Sequence, residues 1–150
     1  MIIRKISRDV LAREPYQAWN AFVNLLAMEN YTDLDDVQRP AHLCFWYDTE
    51  VQNGGHLQYF ENRGRELLNE TLLALRILGA ECPHKVLEAA NRRFLIKPRS
   101  RIETAEEYVA TALEGEFDTF DSAYDVCEPS IPDLLEGYLE KHKEYFVEIV

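Results

Sequence analysis

The chain has 150 residues, of which 16 are Lys or Arg and 27 are Asp or Glu, for a formal net charge of −11. That length fits one domain, and 47% hydrophobic with 11% aromatic residues supplies a core, which argues against intrinsic disorder. The acidic balance argues against direct binding to nucleic acid or to an anionic membrane.

The charge is unevenly spread. Residues 1–102 hold 13 acids and 14 basic residues, whereas residues 103–150 hold 14 acids against only Lys141 and Lys143, a local balance of −12. A solvated surface that keeps the protein soluble accounts for such a stretch; an anionic recognition face is the sharper reading.

In chain order the pattern is helical throughout, and no strand alternation competes with it. Pro15 suits a first helical turn, and Tyr16, Trp19, Phe22, Val23 and Leu26 follow as one apolar face. A second helix is expected from near Pro40, carrying Leu43, Cys44, Trp46, Tyr47 and Val51 until Asn53-Gly54-Gly55 interrupts it. A short segment from His56 to near Gly64 follows, then a longer helix with Leu68, Leu72, Leu75 and Leu78 that stops at Gly79. Both glycines suit C-terminal caps. Pro83 opens a helix with Val86, Leu87, Ala90 and Phe94, and Pro98 ends it. Arg92, Arg93, Lys97, Arg99 and Arg101 at its end complement the helix dipole; a basic docking patch is the alternative.

Thr104-Ala105-Glu106-Glu107 has the form of a capping box for a helix running to about Gly115. Phe117, Phe120, Tyr124 and Cys127 then recur at helical spacing. Asp118, Asp121, Asp125 and Glu128 repeat it one position on, so one helix would carry both stripes. From Ile131 to Ile149 the apolar residues again share one helical face. The fold class expected is all-α: a compact single-domain bundle of about six to eight helices over residues 1–150.

Cys44, Cys82 and Cys127 are odd in number, widely spaced and without a CxxC pair, which points to reduced cytosolic thiols. No stretch approaches the roughly 18 apolar residues of a membrane span and no signal segment is evident, so the protein is expected to be cytoplasmic. The four histidines, His42, His56, His84 and His142, form no metal pair. The acidic segment lacks the spacing of a calcium loop, and no Gly-rich phosphate motif is present. No catalytic residue, metal or cofactor is indicated, and the protein is read as a non-enzyme.

The stretch from Tyr47 to Asn62 concentrates amides, glycines and aromatics. Gly54 and Gly55 allow a sharp helix-to-helix turn, Asn53 and Gln58 can bond the backbone groups it frees, and Tyr59 and Phe60 can lock the corner into the core. The functional alternative is an anion or peptide-carboxylate site on the exposed amides.

In this stretch Glu50-Val51-Gln52-Asn53-Gly54-Gly55-His56-Leu57-Gln58-Tyr59-Phe60-Glu61-Asn62 resembles the E-V-x-N-G-G-x-x-Q-Y-F-x-N signature of the DNA-mimic-protein domain family. The likeness covers roughly residues 15–96; across the acidic C-terminal helices expected over 103–150 it is one of acidic character. The resemblance implies a small, mainly bacterial all-helical fold in which Glu50, Asn53, Gly54, Gly55, Gln58, Tyr59 and Phe60 set the structure. It also implies an acidic, dimeric partner of a transcription factor.

The expected function is therefore an acidic protein-binding domain, a DNA mimic that occupies the basic surface of a DNA-binding protein without touching DNA itself, with a homodimer as its extended form. Its candidate contact residues are Glu114, Glu116, Asp118, Asp121, Asp125 and Glu128. The alternatives are a small-molecule or peptide-binding domain centred on the Asn-Gly-Gly corner, and an immunity-type protein that neutralises a basic toxin.

Overall fold

The computed structural model describes residues 1–150. Its eight α-helices are α1 (Arg8–Arg13), α2 (Gln17–Met28), α3 (Gln38–Arg63), α4 (Leu68–Leu78), α5 (Glu81–Phe94), α6 (Ala105–Leu113), α7 (Asp118–Asp125) and α8 (Ile131–Lys141). Two short strands, β1 (Arg4–Ile6) and β2 (Val147–Ile149), flank them. The all-α bundle holds, and no helix is long and apolar enough to cross a membrane.

The interior is organised around α3, which packs against α2, α4, α7 and α8. An amphipathic helix buries one stripe. By contrast, α3 buries residues on several sides, among them Leu43, Cys44, Tyr47, Val51, Leu57 and Phe60. Around it, α2 contributes Ala18, Phe22, Leu25 and Leu26, α4 contributes Leu68, Ala74, Leu75 and Leu78, and α8 contributes Ile131, Leu135 and Leu139. Tyr16, expected on the apolar face of α2, is 58% exposed, because that helix begins only at Gln17.

The purely helical expectation is corrected at both ends of the chain. The pattern read as one helix from Ile131 to Ile149 leaves helical geometry at His142 (φ −124°, ψ 28°), makes a single 3₁₀ turn over Lys143–Tyr145 and ends in β2. β2 pairs in parallel with β1, Arg4 opposite Val147 and Ile6 opposite Ile149. Three residues are too few for alternation to stand out from a helical face. Phe146, fully buried, packs edge-on against Phe22 with ring centroids 4.8 Å apart. Buried Gln38 at the start of α3 ties both ends down: its amide nitrogen donates to the carbonyls of Ile2 (2.6 Å) and Tyr145 (2.7 Å).

The thiol expectation is also corrected. Packing of α5 against α7 brings Cys82 and Cys127 to a Cα separation of 5.6 Å, and the two form a disulfide; only Cys44, buried in α3, is free. A 45-residue separation hides that proximity in the sequence. The thiol argument for a reducing compartment does not stand, since such bonds persist mainly in oxidising ones. Alkylation of the denatured, unreduced protein should label one cysteine, and three after reduction. Cys127→Ser should lower stability by about 2–4 kcal/mol, read from urea unfolding.

The α2–α3 contact contains a titrating group. The Leu26 carbonyl, in the last turn of α2, accepts from Nδ1 of His42 (3.0 Å) and Nε1 of Trp46 (3.1 Å). Burial of His42 lowers its pKa from 6.5 to about 4. The unfolded chain therefore takes up this proton more readily, and the stability tied to neutral His42 is present above 6.5 and lost as pH falls towards 4. Unfolding free energy should drop by about 2 kcal/mol between pH 7 and 5; His42→Gln, which keeps a donor for Leu26, should flatten that slope.

Candidate functional site

Asn53-Gly54-Gly55 breaks α3, as its composition predicts. Gly54 (φ −152°, ψ 18°) and Gly55 (φ 74°, ψ −172°) are non-helical, and the chain restarts as a helix at His56. The positive φ at Gly55 is costly for any residue with a Cβ. A restarted helix has free amides at its head. The sequence reading assigned them to Asn53 and Gln58, but a residue on another helix serves them. Oδ1 of Asp121, on α7, accepts from the His56 backbone N–H (2.8 Å) and from ring Nδ1 of His56 (2.7 Å). Asp121 lies so close that an ideal Cβ on Gly55 would be 2.8 Å from its Cγ.

His56 is fully buried, and its Nε2 lies 2.8 Å from the Tyr47 hydroxyl. A carboxylate only accepts, so Nδ1 carries the proton towards Asp121 and Nε2 accepts from Tyr47. Carboxylate, imidazole and hydroxyl in this order resemble a nucleophile-activating triad. Tyr47 and His56 are each 0% exposed, so a substrate cannot reach the hydroxyl. Burial also raises the Tyr47 pKa well above its ordinary value, which keeps the phenol protonated. Beside it, Tyr124 of α7 donates to Asp48 of α3, and burial raises the pKa of both groups. Three hydrogen bonds, made by two side chains of α7, thus fasten that helix to α3 around its break.

Asn53 and Gln58 serve a second centre, the buried carboxylate of Glu50. Its Oε2 accepts from Gln58 (3.0 Å) and Asn62 (2.7 Å), its Oε1 faces Nε of Arg63 at 3.6 Å, and Asn53 donates to Gln58 (3.1 Å). A buried carboxylate needs such compensation. Tyr59 and Phe60 are both buried, Tyr59 edge-on to Tyr47 with centroids 5.0 Å apart. Beside the corner, Gly54, Leu57, Asp118 and Asp121 border a cleft of about 130 Å³.

The six candidate acidic residues separate into two groups. Glu114, Asp118, Asp125 and Glu128 are exposed. Glu116 is turned inward, a correction to its reading as a surface contact, whereas Asp121 is half-buried and engaged with His56. Asp121 caps α3, and the Glu116 side chain, 8% exposed, is ringed by Arg99 (2.5 Å), Arg93 (3.4 Å) and Lys97 (3.7 Å). The basic stretch after α5 therefore neutralises one internal acid, besides lying at a helix end. The hydrogen bond from Arg99 leads in lowering the Glu116 pKa, so this contact supports the fold above the ordinary value of 4.5 and is lost on acidification below it. The single stripe is also shorter than expected: α7 ends at Asp125, leaving Glu128 beyond it. The Thr104 cap forms, with its hydroxyl accepting from Glu107 N (3.0 Å), but the Glu107 carboxylate reaches back to Glu103 N rather than Thr104 N.

A family model, DMP19-like protein, matches residues 32–142, well over half of the chain. The chain belongs to the DMP19-like protein family. This is a family of DNA mimics. The match begins at residue 32 rather than near the expected 15, and runs beyond the expected limit near 96 to take in α6, α7 and α8, which is consistent with Asp121 being part of the signature's own geometry. No curated protein and no solved structure gives a match.

Asp121→Ala should destabilise the fold by about 3 kcal/mol, because it leaves a backbone N–H and a buried imidazole N–H without an acceptor. Asp125→Ala should stay within about 0.5 kcal/mol. Gly55→Ala should cost more than about 1 kcal/mol through its positive φ alone. Chemical denaturation of the three variants checks the ranking.

Proposed function

We propose that this protein is a non-enzymatic acidic binding domain, a DNA mimic that presents carboxylates to the basic surface of a DNA-binding protein. The observation that carries this reading is the exposure of the acidic third. Of the 14 acids after residue 102, all but Glu116 and Asp121 are exposed, and only Lys141 and Lys143 interrupt them. Membership of a DNA-mimic family supports it.

Glu114, Asp118, Asp125 and Glu128 form the proposed contact group, with Glu136, Glu140 and Glu144 extending it. Within α8, Glu136 and Glu140 are four positions apart and so rise about 6 Å, the scale that separates successive phosphates along a strand, while Asp118 and Asp125 stand about two turns apart on α7. Such a group meets a partner through long-range attraction, so association is fast and weakens as salt screens it. A second copy, placed edge to edge, would lengthen the charged surface. A DNA-binding partner is met where the DNA is, which keeps the cytoplasm as the proposed location; in that reducing compartment Cys82 and Cys127 would stand as adjacent thiols that close to the disulfide on oxidation.

A pull-down from native extract at low and at high salt should recover a basic DNA-binding protein only at low salt, and the purified protein should not shift DNA in a gel. Reversing Glu114, Asp118, Asp125 and Glu128 to Lys should slow association by about tenfold or more, measured by surface plasmon resonance. Capture that ignores salt, or an unchanged rate in the reversed variant, would count against the reading.

A further inference from the structure

A cavity of about 300 Å³, open to solvent on one side, is lined by the end of α2, both halves of α3 and the start of α4; none of its lining residues lies beyond Thr71 or in the acidic third. Tyr31, Leu43, Trp46 and Tyr59 give it an aromatic and aliphatic wall. His42 and Arg63 stand out among the polar groups on that wall with unused capacity. His42 is only 7% exposed, and its Nδ1–H is spent on the Leu26 carbonyl. Nε2 is then a lone-pair acceptor with no partner in the protein, and it seeks a donor. With its pKa lowered to about 4 by burial, the ring stays neutral at physiological pH and cannot itself serve an anion.

The second group is Arg63. Its guanidinium stacks 3.7 Å above the Trp46 ring, held from behind by Glu50 at Nε, while its terminal nitrogens donate to no protein acceptor. A stacked guanidinium offers a planar fork to a carboxylate. The one carboxylate on the wall, Glu29, is already bonded to Arg4 at 2.9 Å. The free charge of the cavity is thus positive, and the free ring nitrogen of His42 is an acceptor.

We propose that this cavity binds a small aromatic carboxylic acid carrying a hydroxyl or ring N–H, with the ring on the Trp46 side, the carboxylate on Arg63 and the donor on Nε2 of His42. At about 30 Å³ per water-sized group the volume holds about ten heavy atoms, the size of a hydroxybenzoate. This site is independent of the DNA-mimic reading and uses a different face of the molecule. It adds a role to the family signature: Glu50, Gln58 and Asn62 fix the second half of α3, and Glu50 also orients Arg63 towards the ligand.

Trp46 reports on its own site once Trp19→Phe removes the second tryptophan. Titration of that variant with 4-hydroxybenzoate should quench its fluorescence saturably, with a Kd on the order of 100 μM. Benzoate, lacking the donor, should bind about tenfold more weakly, and 4-hydroxybenzylamine, with the opposite charge, should not saturate. Arg63→Gln should weaken the hydroxy acid by about tenfold or more while circular dichroism shows an unchanged fold. Equal binding of the acid and the amine, no loss in Arg63→Gln, or no saturation by any of the acids would overturn the assignment.

Discussion

The fold depends on one carboxylate placed at a break in its central helix. The break itself reaches the surface at Asn53 and Gly54, but the helix restarts at buried His56, whose backbone amide needs an acceptor. Asp121 resolves this with a single oxygen, which caps the His56 amide and fixes the imidazole that in turn receives the Tyr47 hydroxyl. Gly55 makes room for the Asp121 carboxylate and can adopt the backbone the turn requires, while Gly54 makes room for Gln58. Corner and acidic helix are therefore one structural unit, although 65 residues separate the two partners.

This unit changes the meaning of the acidic third. An acid-rich surface used for recognition has to be held in a fixed shape, because mutual repulsion otherwise spreads its carboxylates apart. Here two acids are engaged in contacts within the fold for that purpose. Asp121 anchors α7 to α3, and Glu116 anchors the preceding turn to Arg93, Lys97 and Arg99. The basic stretch and the acidic stretch are paired where they meet, and the remaining carboxylates stand free on a braced support.

What could be read in the sequence was local. Proline and glycine punctuation located most helix boundaries, Asn53-Gly54-Gly55 marked the break, and Tyr59 and Phe60 were correctly assigned to the core. What could not be read depends on distant partners. An aspartate on an acidic stripe carries no sign that it will cap another helix, and Cys82 and Cys127 share no spacing rule. The cavity beside His42 arises where three helices meet, so no segment of sequence contains it. A three-residue strand likewise has too little period to distinguish it from the amphipathic helix that precedes it.

The parallel pairing of β1 with β2 orders events in folding. A ribbon formed by residues 4–6 and 147–149 joins segments nearly the whole described chain apart, among the costliest contacts to close. During synthesis α2 and α3 leave the ribosome long before β2 does. Until then β1 has an open edge, Phe22 lacks its partner Phe146, and the Gln38 amide lacks the Tyr145 carbonyl. Until residues 147–149 have been made, the nascent chain is therefore an incomplete bundle with an unpaired edge, which β2 then seals.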